Sequence, residues 1–181
     1  FRRVLFRSAM FSIVNGVLLQ RLPFPHADRV VDINEVERRD IGGGGAIAPA
    51  TFNDWRKMTT SFDDMAAFST RTYNVTPQSG EPTRVRGTIA TTSFLDVLGV
   101  TPILGRGFTK EDSEPGKNLN LILSFGFWQR QFGGRAEVIG EVVRLNGQPY
   151  TVIGVAPVTL NYPESSNFLL PAAYDVPSCF G

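Results

Sequence analysis

The sequence predicts an α+β fold of mixed, largely antiparallel sheets with short helices, arranged in two lobes and preceded by the end of a transmembrane helix. Three observations carry this expectation. The 181 residues include 18 glycines and 12 prolines, which suits many turns and short elements better than a helical bundle. Apolar residues alternate, or run continuously, over segments of strand length, and only brief stretches show helical spacing. Residues 9–19 (AMFSIVNGVLL) form an apolar run of helical character that is too short to cross a bilayer, which needs roughly 20 apolar residues.

Bulk composition narrows the function. Hydrophobic residues make up 42% and charged residues 19%, ordinary values for a folded domain. The net charge of +1 provides no basic field, which excludes nucleic acid as a partner. The single cysteine, Cys179, makes no intrachain disulfide and leaves the redox compartment open. The single histidine, His26, lies in a turn-like Pro-Phe-Pro-His-Ala-Asp stretch and reads as a solvated loop residue.

The N-terminal apolar run admits three readings: a signal-peptide core, a buried core helix, or the C-terminal part of a membrane helix. No small-x-small cleavage site follows it, which disfavours the first. The third is adopted, with residues 9–22 as the C-terminal part of a first transmembrane helix. Leu22-Pro23-Phe24-Pro25 is its exit, because each proline disfavours helix at the residue before it. Residues 1–8 (FRRVLFRS) place Arg2, Arg3 and Arg7 where such a helix would still be in lipid. Leu5-Phe6-Arg7-Ser8 is also what a common sequencing adapter encodes when read through in frame, so residues 1–8 are read as non-native. The domain proper is expected to span residues 23–181 and to be truncated at its C-terminus.

Along that domain, residues 29–36 (RVVDINEV) read as a strand on their β-branched content. Residues 38–45 (RRDIGGGG) form a loop; a Walker loop would need Lys-Ser/Thr at fixed spacing and a helix directly after. Pro49 opens a helix with Phe52, Trp55 and Met58 on one face, and Phe62 with Met65 begins a second helical piece. Residues 67–76 and 81–91 make a hairpin around a turn at residues 77–80. In its second strand Val85, Gly87 and Ile89 alternate with a wet face of Arg84, Arg86 and Thr88. Residues 93–98 form a short helix closed by Gly99, residues 101–116 a loop, and residues 119–124 a buried strand. Phe125, Trp128 and Phe132 lie along a helix that ends at Gly133-Gly134. Asn146-Gly147, between residues 141–145 and 148–155, predicts a two-residue type I′ hairpin pairing Leu145 with Gln148 and Arg144 with Pro149.

No catalytic, cofactor-binding or metal-binding residue emerges. The chain has no HExxH, no paired Cys or Cys/His spacing, no Gly-x-Ser-x-Gly elbow and no GxGxxG after a strand. Asp63-Asp64 and Glu111-Asp112 are adjacent carboxylates, expected to point apart and to be solvated. The chain therefore reads as no enzyme and as needing no cofactor.

The order of segments resembles one family. NGVLLQRLPFPHADRVVDI is similar to the exit of the first transmembrane helix in MacB-like permeases (MacB/FtsX-type), above all the large orphan permeases with a duplicated module. IAPATFNDWRKMTTSFDDMAAF, EPTRVRGTIATTSFLDVLGVTPILGRGFTKEDS, LNLILSFGFWQRQFGG and IGEVVRLNGQPYTVIGVAP resemble successive blocks of the same family, in order, over nearly all of residues 10–170. The resemblance implies the periplasmic core domain of an ABC transporter permease, inserted between transmembrane helices one and two. It implies location at the bacterial inner (cell) membrane, with this domain on the periplasmic side, coupling ATPase-driven helix motion to export or other work outside the membrane. The implied partners are an ABC ATPase subunit or domain, a second permease copy or half, a periplasmic adaptor and the membrane. The family supplies no catalytic residues. Asp54, Trp55, Arg56, Gly99, Gly105, Arg106, Trp128, Gly133, Asn146 and Gly147 match its motif letters and are read as turns and core anchors. The alternative is a secreted or membrane-anchored ligand- or protein-binding module without ATPase coupling.

Overall fold

The computed structural model describes residues 29–33, 35–36, 44–45, 49–76, 82–163 and 165–173. The membrane-helix segment expected at residues 9–22, the prolines at 23 and 25, His26, the turn at residues 77–80 and Cys179 lie outside the described residues.

The strand expected over residues 29–36 narrows to β1 (Glu35–Val36), which pairs antiparallel with β2 (Gly44–Gly45). β-branched residues favour a strand only where a neighbour supplies a ladder. Val30 instead packs into an apolar core, and Asp32 accepts a 2.9 Å hydrogen bond from the Tyr162 hydroxyl. Helix α1 (Pro49–Met58) starts on its proline and buries Phe52, while Met58 at its end is 81% exposed. The second helical piece expected at Phe62 and Met65 is absent. There the Asp64 carboxylate accepts from the Met65 amide, a local bond that competes with helix, and Ser93 Oγ donates to the Met65 carbonyl.

The main sheet has seven strands in the order β5-β8-β6-β9-β4-β3-β7, and β7 also pairs with β8, so the sheet curls back on itself. β3 (Phe68–Thr76) and β4 (Thr83–Ala90) form the expected antiparallel hairpin, from Phe68↔Ala90 to Val75↔Thr83. Helix α2 (Phe94–Val97) follows and ends at Gly99, whose φ of 64° is left-handed. The loop beyond it contributes the short β5 (Leu104–Gly105) and a single 3₁₀ turn over Lys110–Ser113. β6 (Asn120–Leu123) leads into α3 (Phe125–Phe132), capped by Ser124 Oγ at one end and by left-handed Gly133 at the other. β7 (Val142–Leu145) and β8 (Gln148–Val155) make the predicted hairpin, in the predicted register. Asn146 (φ 50°) and Gly147 (φ 85°) form its turn. β6 joins β8 only from Thr151 onward, so Pro149 faces no ladder on its second side. Parallel pairs (β4–β9, β6–β8) are fewer than antiparallel ones, giving the mixed, largely antiparallel sheet expected of this α+β chain.

β9 (Phe168–Pro171) is a strand the sequence did not announce. It inserts between β4 and β6, parallel to the first and antiparallel to the second, and is buried on both faces. Within the curl, Leu121, Leu123, Val143, Leu145, Val152 and Phe168 form an inner core that Phe127 of α3 seals. Phe127, rather than the expected stripe, makes the deepest helix contact, and its ring meets Phe168 edge to face at 6.2 Å. On the other face Ala90, Ile122 and Leu169 pack against Phe94 and Leu95 of α2 and Leu98 just after it. Thr88 was expected on a wet face but is fully buried there, with its hydroxyl 3.2 Å from that of Thr70.

Candidate functional site

The residues matching family letters occupy turns, caps and close approaches. Arg56 pairs with Asp64 at 3.0 Å, Asp54 is exposed and Trp55 is half-buried on α1. Trp128 Nε1 donates to the Arg135 carbonyl at 2.9 Å, fixing the chain as it leaves Gly133. Asn146 does more than turn the hairpin: its Oδ1 accepts from the Asn74 amide and its own amide donates to the Asn74 carbonyl. This reciprocal pair extends the short β3–β7 join at Val75 and Thr76. Gly105 has φ 71°, and a Cβ there would run into the Ile153 carbonyl.

Arg106 and Asp112 form a polar centre in which the carboxylate is buried and the guanidinium half-exposed. Asp112 is 3% exposed, in contrast to the solvated pair expected of Glu111-Asp112; Glu111 is exposed. Its Oδ2 accepts from Arg106 Nη1 at 2.6 Å, from the Thr109 amide at 2.7 Å and from Thr109 Oγ1 at 3.1 Å. Its Oδ1 accepts from Asn120 Nδ2 at 2.6 Å and Arg106 Nη2 at 3.1 Å. Burial pushes the carboxyl up, but the Arg106 guanidinium, the Thr109 amide and Asn120 outweigh it and hold Asp112 below its ordinary value. The hydrogen bond to Asp112 raises Arg106 in turn. The centre ties the loop ahead of β6 to the end of β5. Thr109 and Asp112 stand at capping-box spacing, the one sequence signal that could have revealed it. Asp63 pairs with Arg29 at 2.8 Å in solvent, and no group of three or more metal-ligating side chains exists among the described residues.

A cleft of about 260 Å³ opens where the sheet stays parted. β7 joins β3 only at Val75 and Thr76, so ahead of that join the edge of β3 has no strand beside it among the described residues. Ser69, Arg71 and Tyr73 of β3, Tyr150 of β8 and Asn118 line the cleft. Ile89, Leu170 and Pro171 make an apolar wall. Tyr73 is fixed by an edge-on contact with Phe168 at 5.4 Å. Burial pushes its hydroxyl up, Tyr150 adds to the shift and Arg71 opposes it. Burial likewise raises Tyr150. The sequence singled out none of these residues, because the site is assembled from separate strands.

The fold has relatives among solved structures. The periplasmic region of MacB from Actinobacillus actinomycetemcomitans matches with a TM-score of 0.55 at 17% identity, over 69% of this chain and 55% of that one. The extracellular domain of the noncanonic ABC-type transporter YknZ from Gram-positive bacteria matches with a TM-score of 0.53 at 24% identity, over 65% of this chain and 59% of that one. The chain thus spans just over half the length of either structure, and the likeness is one of fold. No curated protein matches by sequence. The sequence model of the MacB-like periplasmic core domain matches residues 4–176, nearly the whole chain, and the chain belongs to that family.

Proposed function

We propose that this chain is the extracytoplasmic part of an ABC transporter permease and that it works mechanically, carrying ATPase-driven motion of membrane helices into the space outside. It performs no chemistry of its own; nucleotide is hydrolysed by a separate ATPase subunit or domain. The observation that carries the reading is family membership over residues 4–176. The fold supports it. Both cores are built on one sheet, and the Arg106–Asp112 centre fastens the long loop ahead of β6, so a displacement at one edge is passed on rather than absorbed.

The input to such a device is the segment Leu22-Pro23-Phe24-Pro25. Each proline fixes its own φ and restricts its predecessor, which makes a stiff connection. The test is transport per ATP hydrolysed by the complete permease with its ATPase in reconstituted vesicles. Replacing Pro23 and Pro25 by glycine lowers that ratio and leaves ATP turnover unchanged. An unchanged ratio would instead favour a binding module without ATPase coupling.

A further inference from the structure

We propose that the cleft between β3 and β8 is a receptor for a small organic carboxylate, held by Arg71, Tyr73 and Tyr150. Three features support this. First, the donors share one cleft: Arg71, Tyr73 and Tyr150 line it with Asn118 and Ser69, and no carboxylate lines it among the described residues. Arg71, like Arg84, Arg86, Arg130 and Arg144, has no acidic partner among the described residues, and of these it is the one that lines the cleft. Second, both phenols are protonated donors in the neutral range, as any phenol with an ordinary value near 10 is, and burial only shifts them further up. Third, the polar groups face an apolar wall of Ile89, Leu170 and Pro171, the arrangement of a ligand site in the mouth of a curled sheet.

Charge and size define the ligand class. One guanidinium with neutral donors matches a monoanion, and a phosphate dianion would leave charge uncompensated in a partly desolvated site. A volume of about 260 Å³ takes a group the size of one amino-acid residue. The apolar wall suits an aliphatic substituent beside the carboxylate. The source is either a free organic acid or the C-terminal carboxylate of a peptide. The inference stands apart from ATPase coupling, since the cleft would bind in the same way on an uncoupled module.

The test is a ¹H–¹⁵N NMR titration of the 181-residue chain with N-acetylalanine, N-acetyl-dialanine, N-acetylalanine amide, acetate and inorganic phosphate. The expected result is saturable shifts confined to the cleft residues with N-acetylalanine and none with its amide. Tighter binding of N-acetyl-dialanine marks a peptide terminus as the source; equal binding marks a free acid. Arg71→Gln weakens N-acetylalanine by about tenfold or more and Tyr150→Phe by about threefold, the worth of a charged and a neutral hydrogen bond. Both variants keep the dispersion of the spectrum, because Arg71 is exposed and phenylalanine keeps the ring of Tyr150 packed against the inner core. Equal binding of acid and amide, tighter binding of phosphate, scattered unsaturable shifts, or an Arg71→Gln variant that binds as the parent does would each overturn the proposal.

Discussion

Replacing Asp112 by asparagine removes one charge from the Arg106–Asp112 centre and changes almost nothing in shape. Five hydrogen bonds reach this carboxylate, and it is 3% exposed. Asparagine keeps one acceptor oxygen and turns an NH₂ toward donors that cannot receive it. Breaking a fully buried pair costs about 3–5 kcal/mol, but Arg106 is 49% exposed and recovers part of its hydration, so a loss of about 3 kcal/mol is expected. In urea that loss lowers the unfolding midpoint by about 1–2 M. Its pH dependence has a definite sign. The folded carboxyl holds its proton less tightly than the unfolded one, so its contribution is complete above an unfolded value of about 4 and disappears as pH falls through the folded value. Urea unfolding of parent and variant at pH 7 and at pH 2.5 checks both statements, with Arg106→Gln completing a double-mutant cycle. Equal midpoints at pH 7, or a gap that persists undiminished in acid, would refute the account of the centre.

Three further outcomes follow from the packing. Gly87→Ala drives a Cβ into the ring of Phe168 and costs about 1–3 kcal/mol, whereas Gly107→Ala, whose Cβ meets only Leu95 at 3.9 Å, stays within about 0.5 kcal/mol; urea midpoints separate the two. Asn146→Ala loses both the tolerated left-handed φ and the bond to the Asn74 amide, and lowers stability by about 1–2 kcal/mol in a thermal melt. The Tyr162 hydroxyl, pushed up to about 12 by burial and by its hydrogen bond to Asp32, ionises later in the fold than in the unfolded chain. Its stabilisation is therefore complete below about pH 10 and is lost on the way to pH 12, and Tyr162→Phe removes that alkaline component of unfolding followed by phenolate absorbance.

Elements announced by local chemistry were legible. Asn146-Gly147 dictates its own turn, Gly99 and Gly133 end helices that could not continue with a side chain at those angles, and two strand-length runs either side of a turn-forming stretch announce the β3–β4 hairpin. What stayed hidden depends on contacts distant in sequence. Phe168, Leu169 and Leu170 form a strand because β4 and β6 receive them on either side, and nothing in four residues ending in proline declares that. Thr88 looked wet by alternation, yet its face meets α2. Asp112 looked solvated beside Glu111 because adjacency in sequence does not say which of two carboxylates turns inward. The β3–β8 cleft follows from a sheet that joins along only part of its length.

The placement of β9 bears on how the chain folds. β4 and β6 have no pairing with each other; the strand that joins them directly is β9, which comes last among those described. The β3–β4 and β7–β8 hairpins need only near neighbours and can form while synthesis is still under way. The two hairpins meet directly where β3 pairs with β7, but β4 and β6 cannot be bridged until Phe168–Pro171 has left the ribosome, because Thr88 must find Leu169 and Leu123 must find Phe168 across long loops. Until then the flanks of β4 and β6 stand bare, and chaperone protection during translation matters most over that interval.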